Sequence, residues 1–212
     1  MAIVQSFTFN AFQENTYIVY DDTKECVIID PGCYSAGERK QLTQFITSEQ
    51  LTPVRLLNTH CHIDHVFSNN FIHETYGLLP ECHEQELTVL QLLMQVADMY
   101  GIPTEMSPMP ERYIADNELV QFGNTTFQAL FTPGHSPGSL SFYCAADKFV
   151  IAGDVLFYGS IGRTDLPGGD YDTLIGSINR QLLPLGDNVF VYCGHGPTTT
   201  IGHEKLHNPF LT

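Results

Sequence analysis

Short apolar runs and longer amphipathic ones alternate along this chain, and the alternation predicts a layered fold. Runs at Ile3–Phe9, Tyr17–Tyr20 and Cys26–Ile29 have the length of strands, and the third ends in the turn signal Asp30-Pro-Gly. Leu42, Phe45 and Ile46 recur at helical spacing, which predicts a helix from about Ser35 to Gln50. Val54-Arg-Leu-Leu-Asn58 reads as a buried strand opened by Pro53, with a helix expected from Asp64 to about Tyr76. Glu84–Tyr100 carries the strongest helical signature: acids in its first turn, Gly101 past its end and Pro103 beyond. Its stripe of Leu87, Leu90, Met94 and Ala97 fits core packing. Val89, Leu92, Leu93, Val96 and Met99 add apolar surface on other sides, which fits a lid or a dimer contact. From Tyr113 a second series of strands begins: Leu119–Phe122, Thr126–Phe131, Leu140–Cys144 and Phe149–Ala152. A helix at Asp172–Leu183 and a strand at Val189–Tyr192 follow. Strands followed by helices, twice over, predict an α/β (α+β) protein in which two mixed sheets face each other with helices outside. Residues 1–212 are expected to form a single domain, with halves of about 1–112 and 113–212.

Composition changes this picture little but narrows the function. A 43% hydrophobic content with only 16% charge indicates a packed core. No apolar run approaches ~18 residues and the N-terminus lacks a basic, then apolar, leader, so neither a membrane span nor a secretory signal is expected. Six cysteines without CxxC pairing read as reduced thiols, and a cytoplasmic protein is expected. The net charge is −15 and the nine Lys and Arg are scattered, which argues against nucleic acid as a partner.

The candidate chemistry sits in Thr59-His-Cys-His-Ile-Asp-His65, directly after the strand at 54–58. Three imidazoles and a carboxylate within six residues of a loop can point several side chains at one centre. A site built from one loop cannot close around a metal. Further ligands are expected at His135 in Thr-Pro-Gly-His-Ser-Pro-Gly-Ser139, at Asp154 ending an apolar strand, and at His195 in Cys-Gly-His-Gly196. Glycine beside each lets the backbone turn sharply and come close. Asp30 reads equally as a support behind these ligands or as a plain turn residue. Cys61 and Cys193 read as packing residues. His73, His83, His203 and His207 read as surface or hydrogen-bonded histidines.

HxHxDH, TPGHSPGS, a strand ending in Gly-Asp and then Gly-His-Gly, in that order, resemble the metallo-β-lactamase superfamily over nearly the whole chain. Gly153–Gly169 and Gly202–Leu211 resemble most the short glyoxalase II-like hydrolases that lack a C-terminal helical domain. The resemblance implies an αββα sandwich with metals at the edge between the sheets. It implies His60, His62 and His135 on one cation, Asp64, His65 and His195 on a second, and Asp154 bridging. It further implies two divalent ions, Zn²⁺ foremost with Fe and Mn compatible. A hydroxide shared by the two ions would attack an acyl thioester, with Asp64 orienting it. Thioesters suit such a centre because a thiolate leaves without a general acid. Arg163, nine positions after Asp154, matches the family's basic residue that contacts the thiol carrier's carboxylate. A salt bridge from Arg163 to Asp165 or Asp170 is the alternative. Asp165 stands where larger glyoxalase II enzymes have tyrosine, which leaves thiol carriers other than glutathione open.

Two rival readings remain. Persulfide dioxygenases resemble the Gly-Arg-Thr-Asp tetrapeptide at 162–165 but hold one iron, and the following Leu-Pro-Gly-Gly matches the hydrolase branch better. A non-catalytic metal-binding protein has no need for seven ligands. Di-zinc β-lactamases of the commonest kind carry Cys where Asp154 stands. The partner expected is a small acyl thioester, and the sequence leaves monomer or dimer open.

Overall fold

Alternation along β2 (Glu14–Tyr20) explains the layering, because both of its faces are buried. Tyr17 and Val19 point into one core and Ile18 and Tyr20 into another. A computed structural model describes all 212 residues. The first sheet joins β1 (Ile3–Phe9), β2, β3 (Glu25–Ile29), β4 (Thr52–Leu57), β5 (Pro80–Cys82) and β6 (Arg112–Tyr113) in chain order. Its first three strands are antiparallel and the rest parallel. The second sheet draws on β7 (Leu119–Phe122), β8 (Thr125–Phe131), β9 (Leu140–Cys144) and β10 (Phe149–Gly153). A separate hairpin of β11 (Leu156–Phe157) and β12 (Ser160–Ile161) follows. The chain then rejoins the sheet as β13 (Phe190–Cys193) and β14 (Thr199–Thr200), giving the order β14-β13-β10-β9-β8-β7.

Between the sheets, Tyr17, Val27, Ile29 and Leu57 meet Phe127, Leu140, Phe142 and Ile151. Each such side chain removed from water contributes roughly 1.5–3 kcal/mol, more than a helix cap's ~1. The sandwich interior therefore outweighs the helix ends in holding the fold. Outside the first sheet lie α1 (Ala36–Ser48), whose Leu42 and Ile46 cover Ile18 and Ile28, then α2 (Ile63–Val66) and α3 (Asn69–Tyr76). Two short helices, α4 (Leu87–Gln91) and α5 (Leu93–Tyr100), follow. Outside the second sheet lie α6 (Tyr171–Ser177) and α7 (Ile201–His207), whose Leu174 and Ile201 cover Val150 and Val191. The expected αββα sandwich is what is observed.

Four departures from the expected elements have clear physical or topological grounds. The helix expected at 64–76 is broken, because Ser68 gives its N–H to Pro31 O at 2.9 Å and its hydroxyl to Cys33 O instead of continuing the turn. The segment 84–100 opens as a tight turn at Glu84–Glu86 and breaks again at Leu92, whose N–H closes on Val89 O. The helix expected at 172–183 ends at Ser177 and widens through Ile178–Leu182. β6, with which the second series of strands was expected to begin, is instead the edge of the first sheet, so the sheets divide between Tyr113 and Leu119.

Candidate metal centre

Four loops, each leaving the end of a strand or starting a helix, bring the expected side chains to one edge of the sandwich. After β4, Thr59 donates its N–H and hydroxyl to Asp30, at 2.7 and 2.5 Å. Asp30 itself holds a left-handed backbone, φ 49°, which an aspartate tolerates better than most residues. Its carboxylate also meets His65 Nδ1 at 3.1 Å. Asp30 is thus a support behind the ligand loop and not a plain turn. Glu86 is fully buried and ties two loops together. It accepts Cys61 N–H (2.7 Å), between His60 and His62, and Ser136 Oγ–H (2.5 Å) and Gly138 N–H (2.7 Å), just after His135. Gly153 turns β10 toward Asp154 with φ 53°, and a Cβ there would lie 2.4 Å from Thr59 Oγ1. Gly194 lets β13 pass Asp154, since a Cβ there would lie 2.0 Å from Asp154 Oδ1.

The donor atoms fall into two groups. Those of His60, His62 and His135 lie within 4.8 Å of one another, and so do those of Asp64, His65 and His195. The Asp154 carboxylate stands between them. Its Oδ2 is 3.4 Å from His135 Nε2 and 3.5 Å from His195 Nε2, and its Oδ1 is 3.5 Å from His65 Nε2. Asp64 Oδ2 lies 3.2 Å from His195 Nε2. The other ring nitrogens are engaged elsewhere. His135 Nδ1 donates to Arg163 O at 2.8 Å and His195 Nδ1 to Phe12 O at 3.0 Å. Such hydrogen bonds place the proton on Nδ1 and turn the Nε2 lone pair inward. His60 Nε2, His65 Nε2 and Asp154 Oδ1 are buried and have no hydrogen-bond partner in the protein. Orphaned buried groups are costly. Three of them in one all-nitrogen and oxygen donor set fit divalent cations.

Electrostatics separate the two groups. Burial, then neighbouring imidazoles, pushes His60 well below the ordinary histidine range and His62 down to about 3. Burial would raise Asp64 and Asp154, but the His65 imidazole beside them outweighs it and holds both low. Burial would lower His65 and His195, but the Asp64 and Asp154 carboxylates outweigh it and raise both. These two imidazoles therefore give up protons when a cation binds, whereas His60, His62 and the carboxylates already have the states a cation needs.

Two buried carboxylates here escaped the sequence reading. Glu86 is one. Glu14 is the other: its Oε2 accepts Thr16 Oγ–H at 2.9 Å, while Oε1 lies unpartnered 3.9 Å from His65 Nδ1. Burial pushes its pKa well up. Neither lies in a motif, and only folding brings them to the centre.

The centre floors a cleft of about 500 Å³. Val89, Leu92 and Val96 form one wall, while Leu90, Leu93 and Ala97 pack inward against Cys61, Ile63 and Phe67. Leu93, expected on an outer face, is buried, and Leu87 and Met94 of the expected core stripe are only half-buried. Arg163 lines the rim, but its guanidinium is held fork-to-fork by Asp165 at 2.7 and 2.7 Å. Cys61 and Cys193 are buried in the two cores. His203 stacks on Tyr158, away from the ligands.

Residues 9–195 match the family described as the metallo-beta-lactamase superfamily. Among curated proteins, the chain is 39% identical over 210 residues to a hydroxyacylglutathione hydrolase, GloC, of Haemophilus influenzae, covering 98% of this chain and 97% of that one. Among solved structures, BLEG-1, described as a B3 metallo-beta-lactamase, superposes with a TM-score of 0.91 at 38% identity, over 99% of this chain and 100% of that one. TTHA1623 in a di-iron-bound form superposes with a TM-score of 0.89 at 37% identity, over 98% and 100%.

Proposed function

Because this chain belongs to the metallo-β-lactamase superfamily, we propose that its centre binds two divalent cations and hydrolyses an acyl thioester, of which a hydroxyacylglutathione is one kind. The observation that carries the reading is the Asp154 carboxylate set between two triads of donors. His60, His62 and His135 would hold one cation and Asp64, His65 and His195 the other, with the Asp154 carboxylate available to both. A cation pair supplies a water that ionises near neutral pH and a Lewis acid for the carbonyl oxygen. Zn²⁺ is proposed first, with Fe and Mn compatible with the same donors.

The chain's own residues do the rest. Asp64, ionised and 3.2 Å from His195, orients the attacking water. Asp30 and the carbonyls of Arg163 and Phe12 fix the imidazoles so that no reorganisation is needed during reaction. The C–S bond breaks as a new C–O bond forms, and the sulfur leaves as thiolate. The cleft lining holds no carboxyl or imidazole outside the centre to protonate a poorer leaving group, which supports a thioester over an amide. Six unpaired cysteines support a reducing, cytoplasmic setting.

The test is elemental analysis of metal-loaded protein together with a panel of lactoylglutathione, other thioesters, a lactone and a β-lactam, which the BLEG-1 likeness makes a necessary member. Two cations and preferred thioester turnover are expected. One iron per chain with oxygen consumption, or turnover of the β-lactam alone, would overturn the reading.

A further inference from the structure

We propose that the cleft above the centre takes the acyl group of the thioester and selects acyl groups that are apolar, uncharged and several carbons long. This rests on the hydrolase reading and deepens it. The metal-ligand side chains and the apolar walls line one continuous cavity of about 500 Å³, a size that suits a small organic ligand. One wall keeps large apolar groups in water: Phe12 is 40% exposed, Leu92 42%, Tyr100 47% and Met99 73%. The other wall presents Phe157, Ile161 and Leu166. Apolar side chains gathered beside a reactive centre mark a binding surface.

Charge decides which end of the substrate lies there. Outside the proposed metal centre, Arg163 is the only Lys or Arg on the lining, and it stands at the rim with both arms of its fork engaged by Asp165. The chain's net charge is −15. A carrier's carboxylate or phosphate therefore meets the cleft's one basic side chain at the rim and none along the apolar walls. Biological thiol carriers are polar, so the part of a thioester free to be apolar is its acyl group. A short hydroxylated acyl group leaves these mostly apolar walls wet.

The experiment compares acetyl, butanoyl, hexanoyl and octanoyl thioesters of N-acetylcysteamine, a small neutral carrier, on the metal-loaded protein. Each methylene that reaches the walls should raise kcat/KM by up to about fourfold, so hexanoyl, four methylenes longer, should exceed acetyl by up to about 250-fold. Lactoyl should fall below butanoyl. In Leu92→Ser and Val96→Ser the hexanoyl-to-acetyl ratio should drop toward one, a comparison internal to each variant. A flat or falling series in the unaltered protein overturns the inference whatever the variants do. Calorimetric binding of octanoate against acetate, with and without metal, gives a second reading. If octanoate binds more tightly while no thioester is hydrolysed, the hydrolase reading falls and the apolar cleft stands. If octanoate binds no better than acetate, the cleft has been misassigned.

Discussion

Glu86 makes three hydrogen bonds with two oxygens, and each joins a ligand-bearing loop to the start of α4. Glu86→Ala would orphan two backbone N–H groups and a hydroxyl, at about 1–3 kcal/mol each. The expected result is a markedly lower Tm and weaker metal uptake, read by calorimetry and by the absorption spectrum of the Co²⁺-loaded protein. Glu86→Gln keeps one oxygen and should fall between. Asp30→Ala should lower metal affinity by about 10–100-fold, since it frees His65 to rotate. Asp154→Ala should remove both hydrolysis and one or more bound cations, whereas His203→Ala should leave hydrolysis largely intact; equal losses would refute the ligand assignment. Arg163→Ala is expected to raise KM for a carboxylate-bearing carrier and to leave a neutral thioester unaffected, because the exposed pair with Asp165 is easily exchanged for a substrate carboxylate. At this scale the sequence was most legible where ligands cluster in a loop. His60, His62, Asp64 and His65 announce themselves by spacing, and His135, Asp154 and His195 by the strand and glycine beside each. Glu14 and Glu86 do not, because the groups they meet at the centre lie 25 to 52 residues away along the chain.

Asp21 shows the same long-range bonding between elements. At the end of β2 it accepts N–H groups from Thr23 and Asn124 and hydroxyls from Thr23 and Thr125, fastening the first sheet to the β7–β8 turn. Burial acts to raise its pKa, but these four hydrogen bonds outweigh it and hold the carboxyl below its usual range. A folded-state pKa below the unfolded value gives stability that is present above about pH 4 and is lost as pH falls through the folded pKa. Asp21→Asn should therefore destabilise the protein at pH 6 and flatten its acid unfolding limb below about pH 4. An acid limb as steep as that of the parent protein would exclude the assignment. Strands were legible because buried β-branched runs have few alternatives, and the length of β1 was read to the residue. Helix breaks were not legible. Nothing near Ser68 signals that its N–H goes to Pro31, a residue 37 positions earlier, and the tail at 201–207 became a helix through the Thr200 cap and a buried Glu204 held by Thr199 and Asn208.

Across the whole molecule the two sheets share the centre, with His60, His62, Asp64 and His65 from the first and His135, Asp154 and His195 from the second. Cations bound there cross-link the halves. Metal at a thousand times its dissociation constant should add about 4 kcal/mol of stability, visible as a higher Tm on loading and its loss with chelator. An unchanged Tm would mean that the donors hold no ion. The αββα architecture was legible from the doubled order of strands and helices; the edge at which its parts meet was legible only through the motifs. The division of donors between sheets also sets a timetable. A growing polypeptide displays four donors by residue 65 but lacks His195 until nearly the whole chain has been made. On the proposed assignment the first ion's donors would all exist once Asp154 is made, whereas the second ion's set would wait for His195, so the pair would fill in sequence. The second ion would then enter through the cleft after β13 has formed, and ribosome-stalled chains ending before residue 190 should hold at most one ion.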